Sequence, residues 1–223
     1  MADDPVELAI KIVMLGESGV GKTNLLLRYL KDTFESNQVP TIGMDFHSKE
    51  IRMEGNIVKA QFWDTAGQEK YRSIARQYFK AAHGVLLVYD TSTRESFAKT
   101  RSWLEQITEN GEKEISVMLV GNKIDKLEDR EVPTNEGKKF AKDNGLFFWE
   151  TSALTNEDNC VHEAFTTLIT ECYKKALAQY NVALSKVEQE REDAIINGRV
   201  NQTIDIDIPA YSDQKRQGCC GQG

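Results

Sequence analysis

The chain has 223 residues, 40% hydrophobic and 28% charged, enough to bury one sizeable core without disulfide or metal staples. Its formal charge of −7 leaves no basic footprint for a phosphodiester backbone, which argues against nucleic acid as a partner. The acidic start lacks the basic-then-apolar pattern of a secretion signal, no apolar run reaches the about 20 residues that cross a bilayer, and the four cysteines have neither metal-ligand nor disulfide spacing, so a reducing, cytosolic setting is expected.

In chain order, residues 8–15 form an apolar run that predicts a buried strand, and a helical pattern opens near Gly21. Residues 46–53 alternate in polarity and face residues 57–63 across Glu54-Gly55-Asn56, which predicts a hairpin. Strands then follow at 85–89, 117–120 and 147–149, separated by helical patterns from Arg94, Asn135 and Asn159. This alternation predicts an α/β fold with a mixed, mostly parallel six-stranded sheet, its antiparallel edge in the hairpin and its helices on both faces. Residues 1–7 are expected to be a short extension, 8–175 one domain, 176–190 a continuation of the last helix and 191–223 a disordered tail. Leu177, Tyr180, Leu184 and Val187 keep helical spacing for barely two heptads, too short for a stable coiled-coil arm by itself. His47, His83 and His162 are scattered without acid or cysteine company and read as ordinary residues, while Trp103 and Trp149 read as core.

Gly16-Glu17-Ser18-Gly19-Val20-Gly21-Lys22-Thr23 matches G-x-x-x-x-G-K-[ST] and lies where that motif must, after a strand and opening a helix. Its glycines let successive N–H groups face phosphate oxygens, Lys22 supplies a point charge to the β- and γ-phosphates, and the Thr23 hydroxyl suits magnesium. Asn122-Lys123-Ile124-Asp125 follows the strand at 117–120; an ionised Asp125 accepts two adjacent donors from the Watson–Crick edge of guanine, which adenine does not present. Thr151-Ser152-Ala153 serves equally as a source of N–H groups for the guanine carbonyl and as a helix N-cap region. Asp64-Thr65-Ala66-Gly67-Gln68-Glu69 ends the strand at 57–63: Asp64 suits magnesium through water, Gly67 lets an N–H approach the γ-phosphate, and Gln68 suits an attacking water. Val39-Pro40-Thr41-Ile42-Gly43 is a candidate loop that closes on magnesium and the γ-phosphate through Thr41.

Together these strings resemble the Ras superfamily, over residues 8–175 and the C-terminus. Thr41-Ile42-Gly43, the run from Trp63 through Glu69 to Arg72, and Val88-Tyr89-Asp90 are similar to the Rab branch. Lys59-Ala60-Gln61, the run from Met118 to Lys123, and Glu150 to Leu154 are similar to Rabs of recycling endosomes and post-Golgi secretion. The resemblance implies the P-loop NTPase three-layer fold and a GTP/GDP switch with magnesium. Its phosphate set would be Ser18, Gly19, Val20, Gly21, Lys22, Thr23, Asn24, Thr41 and Gly67, and its metal set Thr23, Thr41 and Asp64. Phe34, Asn122, Lys123, Asp125, Ser152, Ala153 and Leu154 would surround the base, and Ile42, Gly43, Phe46, Trp63 and Tyr78 would meet effectors. Leu154 departs from the lysine of many relatives, which removes one stacking arm beside the base, and Ser18 from the glycine of Ras; neither change removes a group that performs chemistry. Implied partners are effectors, an exchange factor, a GTPase-activating protein, a GDP-dissociation inhibitor, and a prenylation escort and transferase.

The ending Gly218-Cys219-Cys220-Gly221-Gln222-Gly223 is similar to the paired-cysteine endings of Rabs and implies a geranylgeranyl group on Cys219 and on Cys220, holding the protein on the cytosolic face of endosome, Golgi or vesicle. From Arg191 onward four basic residues stand against five acidic ones, so no polybasic patch supplements a lipid and the second signal must be the second chain. Two rivals exist. A P-loop small-molecule kinase needs an arginine-bearing lid and an acceptor pocket, for which no insertion is found; a GTP holder without hydrolysis is opposed by Gln68.

Overall fold

A computed structural model describes residues 6–37, 39, 41, 43–65, 79–111 and 114–196. Its strands are β1 (Glu7–Leu15), β2 (Met44–Met53), β3 (Asn56–Thr65), β4 (Gly84–Asp90), β5 (Ser116–Asn122) and β6 (Phe147–Thr151). Its helices are α1 (Lys22–Lys31), α2 (Arg94–Asn110), α3 (Thr134–Asp143) and α4 (Cys160–Ile196), with a 3₁₀ turn at Glu157–Asn159 before the last. The strands form one sheet in the order β2-β3-β1-β4-β5-β6, parallel throughout except for β2 against β3. The expected six-stranded mixed sheet is therefore present.

The hairpin is one residue tighter than Glu54-Gly55-Asn56. Met53 pairs with Asn56, so only Glu54 and Gly55 turn, at φ of 50° and 85°. Two positive φ values make the primed turn whose twist matches the strands. Asn56 is drawn into β3 because its amide accepts from the Val6 N–H at 3.0 Å and donates to the Tyr173 hydroxyl at 2.8 Å.

Alternate residues of each strand reach opposite faces. Val13, Leu15, Val85, Leu87, Tyr89, Val117 and Leu119 pack with Phe97, Trp103 and Ile107 of α2 and Ala141 of α3. The Phe97 ring stands edge-on to Tyr89 at 4.9 Å and to Phe140 of α3 at 5.6 Å. On the other face Tyr29 of α1 stacks on Phe165 of α4 at 4.4 Å, and both meet the edge of Phe62. Each fully buried ring or branched chain contributes about 1.5–3 kcal/mol. Covered on both sides, β4 and β5 are buried at every residue, which explains their unbroken apolar runs.

The strands outlast their apolar runs. Asp64, Thr65, Asn122 and Thr151 are buried polar residues inside the ends of β3, β5 and β6, held in register by Met14, Asp90 and one another. Because the chain leaves β1 toward β3 and later builds β4, β5 and β6 on its other side, the carboxyl ends of the strands flank a topological switch, where ligands of open α/β sheets bind.

Trp149 is only half-buried, a correction to its reading as core, because β6 is the edge strand. Trp103 is buried as expected. Of the histidines, His83 accepts the Lys11 N–H at 3.0 Å, His162 lies against Tyr29, and His47 meets Asp45. Cys160 and Cys172 are free thiols, and burial pushes that of Cys172 up to about 12.

One compact unit ends at Ala176, and the second begins at Leu177. Helix α4 continues to Ile196, beyond the residue 190 expected; no glycine or proline interrupts the sequence before Gly198. In this second unit Val182 and Leu184 are exposed. Among the described residues no helix is long and apolar enough to cross a membrane.

Candidate nucleotide-binding site

Between β1 and α1 the backbone turns through glycines that nothing else can replace. Gly16 has φ of 139°, and a Cβ there would lie 2.1 Å from the Val88 carbonyl oxygen; at Gly21, φ 99°, it would lie 2.4 Å from the Asn122 amide nitrogen. The first clash is with backbone and has no escape, so Gly16→Ala should cost about 3 kcal/mol or more and displace the loop. Thermal melting compared with Gly43→Ala checks this: Gly43 shares a positive φ, 81°, and its backbone strain, but a Cβ there would meet nothing, so the excess loss at Gly16 reports the clash.

Lys22 opens α1 at 6% exposure and donates to the carbonyls of Gly16 and Glu17 at 2.8 and 2.9 Å. Burial pushes its ammonium down to about 8, opposed by the charges of Asp64 and Glu17. Such a desolvated cation gains much from a phosphate beside it.

Next to it the Thr23 hydroxyl donates to Asp64 Oδ2 at 2.6 Å and lies 3.0 Å from the Thr41 hydroxyl. Asp64 Oδ1 is buried and has no hydrogen-bond partner among the described residues, and burial raises the carboxyl above its usual range. Two hydroxyls around one under-satisfied carboxylate form a hard-oxygen donor set, which fits magnesium held partly by water and phosphate. Among the described residues no cluster of three His, Cys, Asp or Glu could hold a metal instead. The Thr65 hydroxyl donates to the Met14 carbonyl at 2.7 Å, locking the ends of β3 and β1 together.

At the other end, Asn122 is buried and serves as a strut. Its amide donates to the Val20 carbonyl at 2.9 Å and accepts from the Thr151 hydroxyl and Ala153 N–H, each at 3.3 Å, so it ties the phosphate loop to both base loops. Lys123, at φ 68°, donates to the Gly19 carbonyl and pairs with Asp90, each at 2.7 Å. Asp125 Oδ1 accepts the Ser152 hydroxyl at 2.5 Å. Asn24 exchanges two hydrogen bonds with the Glu35 backbone, at 3.0 and 2.9 Å, and so holds the segment beside Phe34.

These ends bound one cavity of about 360 Å³. Of the residues expected to hold phosphate, Ser18, Gly19, Gly21, Lys22, Thr23, Asn24 and Thr41 line it; of those expected around a base, Phe34, Asn122, Lys123, Asp125, Ala153 and Leu154 line it too. Val20 and Ser152 stand behind it, as a carbonyl and a hydroxyl that fix Asn122 and Asp125. A family model described as Ras family matches residues 11–174 of the chain. The chain belongs to the Ras family. It is 40% identical to Ras-related protein RGP2 of Oryza sativa subsp. japonica over 222 residues, 98% of this chain and 97% of that one. It is 39% identical to Ras-related protein RABA4d of Arabidopsis thaliana over 218 residues, 97% of this chain and 95% of that one. The similarity to RABA4d agrees with the Rab-type motifs.

In this GTPase Phe46 stands edge-on to Trp63 at 5.3 Å and is 48% exposed, with Gly43 at φ 81° shortly before it. Ile42, Gly67, Gln68, Tyr78, Cys219 and Cys220 lie outside the described residues. Two contacts had no sequence motif. Arg28 of α1 donates to the Ala153 and Leu154 carbonyls, and the Trp103 indole donates to Glu17 Oε1 at 2.9 Å. Both join residues far apart in sequence, so no local pattern signals them.

Proposed function

We propose that this GTPase is a Rab-type switch that hydrolyses GTP to GDP and phosphate and, while GTP is bound, recruits effectors to membranes of recycling-endosome or post-Golgi traffic. The observation that carries it is the convergence of Thr23, Thr41 and Asp64 beside Lys22, with one Asp64 oxygen unsatisfied among the described residues. Thr23 and Thr41, with Asp64 through water, would hold magnesium, which would supply charge neutralisation on the phosphates.

Lys22 exchanges its two loop carbonyls for phosphate oxygens, at little cost in reorganisation because its stem is already buried. Asp125, pinned by Ser152, accepts from the guanine edge. Gln68 orients the water whose oxygen bonds to the γ-phosphorus as the bond to the β-phosphate oxygen breaks. Among the described residues no arginine lines the cavity, so the intrinsic rate resembles that of Ras, roughly 10⁻⁴ s⁻¹, and an activating protein supplies the missing charge. Loss of the γ-phosphate releases Thr41 and the segment around Gln68, which ends effector binding. Geranylgeranyl groups on Cys219 and Cys220 anchor the chain, with an escort and transferase adding them and a GDP-dissociation inhibitor returning the protein to cytosol.

Denaturing the purified protein should release guanine nucleotide, read by chromatography. In single-turnover assays Gln68→Leu should bind GTP normally and hydrolyse it at least about tenfold more slowly. An adenine nucleotide in the first experiment would defeat the base reading, and an unchanged rate in the second would remove Gln68 from the reaction.

A further inference from the structure

Helix α1 begins at the glycine-rich loop, and its last turns reach the loop of Ala153 and Leu154. Six residues after Lys22, Arg28 lies with its side chain 15% exposed and its guanidinium divided between two tasks. Its Nη1 donates to the carbonyl and the carboxylate of Asp32, the helix C-cap, each at 2.9 Å. Its Nε donates to the Ala153 carbonyl at 2.9 Å and its Nη2 to the Leu154 carbonyl at 3.1 Å.

The donors of that loop are mostly spent. Ala153 N–H contacts Asn122, Thr155 N–H reaches the Ser152 hydroxyl at 3.0 Å, and Asn156 N–H the Ser152 carbonyl at 2.9 Å. Leu154 N–H has no protein partner among the described residues. It belongs to the same peptide unit as the Ala153 carbonyl. A trans peptide points its C=O and N–H in opposite directions, so the guanidinium that grips the carbonyl from α1 aims the N–H away from that helix. Ala153 and Leu154 both line the cavity. Accepting a charged hydrogen bond at the carbonyl also makes that N–H a better donor.

We propose that Arg28 is a positioning residue for base specificity, fixing the Ala153–Leu154 peptide so that Leu154 N–H meets the six-oxo group of guanine. This rests on the guanine reading of the cavity. It separates two specificity elements: Asp125 reads the ring N–H and the two-amino group, and the peptide held by Arg28 reads the oxo group.

Three nucleotides distinguish them on the full chain with magnesium: GDP, inosine diphosphate, which lacks the two-amino group, and 6-thio-GDP, whose sulfur is a weak acceptor. Wild type should prefer GDP to both. Arg28→Gln should weaken GDP about fivefold to tenfold, the worth of one good hydrogen bond, and lower the GDP to 6-thio-GDP ratio by a similar factor. Its GDP to inosine diphosphate ratio should stay as in wild type. Arg28→Lys keeps the charge but gathers its donors on one nitrogen, so it cannot hold Asp32 through one nitrogen and the Ala153 and Leu154 carbonyls through two others as the planar guanidinium does; it should show the same selective loss, and it carries the test if the glutamine variant fails to fold. Equal weakening of all three nucleotides would mark Arg28 as merely structural and overturn the proposal, as would unchanged GDP affinity in a folded variant. Failure of wild type to prefer GDP over inosine diphosphate would instead overturn the reading of Asp125.

Discussion

Asp125→Asn should exchange guanine for xanthine, with GDP affinity falling by about 10²–10⁴-fold and xanthosine diphosphate becoming the preferred ligand. The Ser152 hydroxyl accepts the Thr155 N–H, so its own proton goes to Asp125 Oδ1. In the variant that hydrogen bond holds the amide oxygen where Oδ1 was and leaves the amide nitrogen in the place of Oδ2. Guanine then meets a donor where its two-amino group needs an acceptor. Two charge-assisted bonds of about 1.5–3 kcal/mol each are lost or reversed, which sets the fold-change. Xanthine carries a carbonyl at that position and accepts. Competition of both diphosphates against a fluorescent nucleotide checks the exchange; retained GDP affinity with no binding of the xanthine nucleotide would show that Asp125 does not read the base.

Thr23→Asn should cost GTP about 10²-fold more affinity than GDP. Thr23 stands between Thr41, 3.0 Å away, and Asp64, 2.6 Å away, so its hydroxyl is the centre of the donor set. An asparagine amide donates to the Asp64 carboxylate and occupies it, taking the role that a cation would have there. Magnesium stabilises phosphate charge by several kcal/mol, and GTP, with its extra charge near Thr41, depends on it more than GDP does. Titration with both nucleotides at millimolar magnesium measures the ratio. Equal weakening would mean that Thr23 acts only as a first-turn residue of α1 and has no part in discriminating the γ-phosphate.

Much of this protein is local in sequence, and there the sequence sufficed. The phosphate loop is one continuous string because a strand-to-helix turn delivers its N–H groups in succession, and its glycines are dictated by backbone positions such as that of Gly16 against Val88. The apolar runs of β4 and β5 told of a sheet covered on both faces, and Asn122 to Asp125 stood at a strand end. The candidates for a base-reading carboxylate, a phosphate lysine and a cation hydroxyl could therefore be named before any fold. The tertiary structure decided what joins them. That Asp64, Asn122 and Thr151 lie inside strands follows from pairing partners up to fifty residues away, which extend the ladder past the last apolar side chain. Asn122 became a strut between three loops, and Arg28 a clamp on a peptide over a hundred residues away, because sheet order brings the ends of β1, β5 and β6 to one edge. Hydrogen bonds across such separations leave no periodicity in the chain; they exist only once packing has closed the loops between their partners.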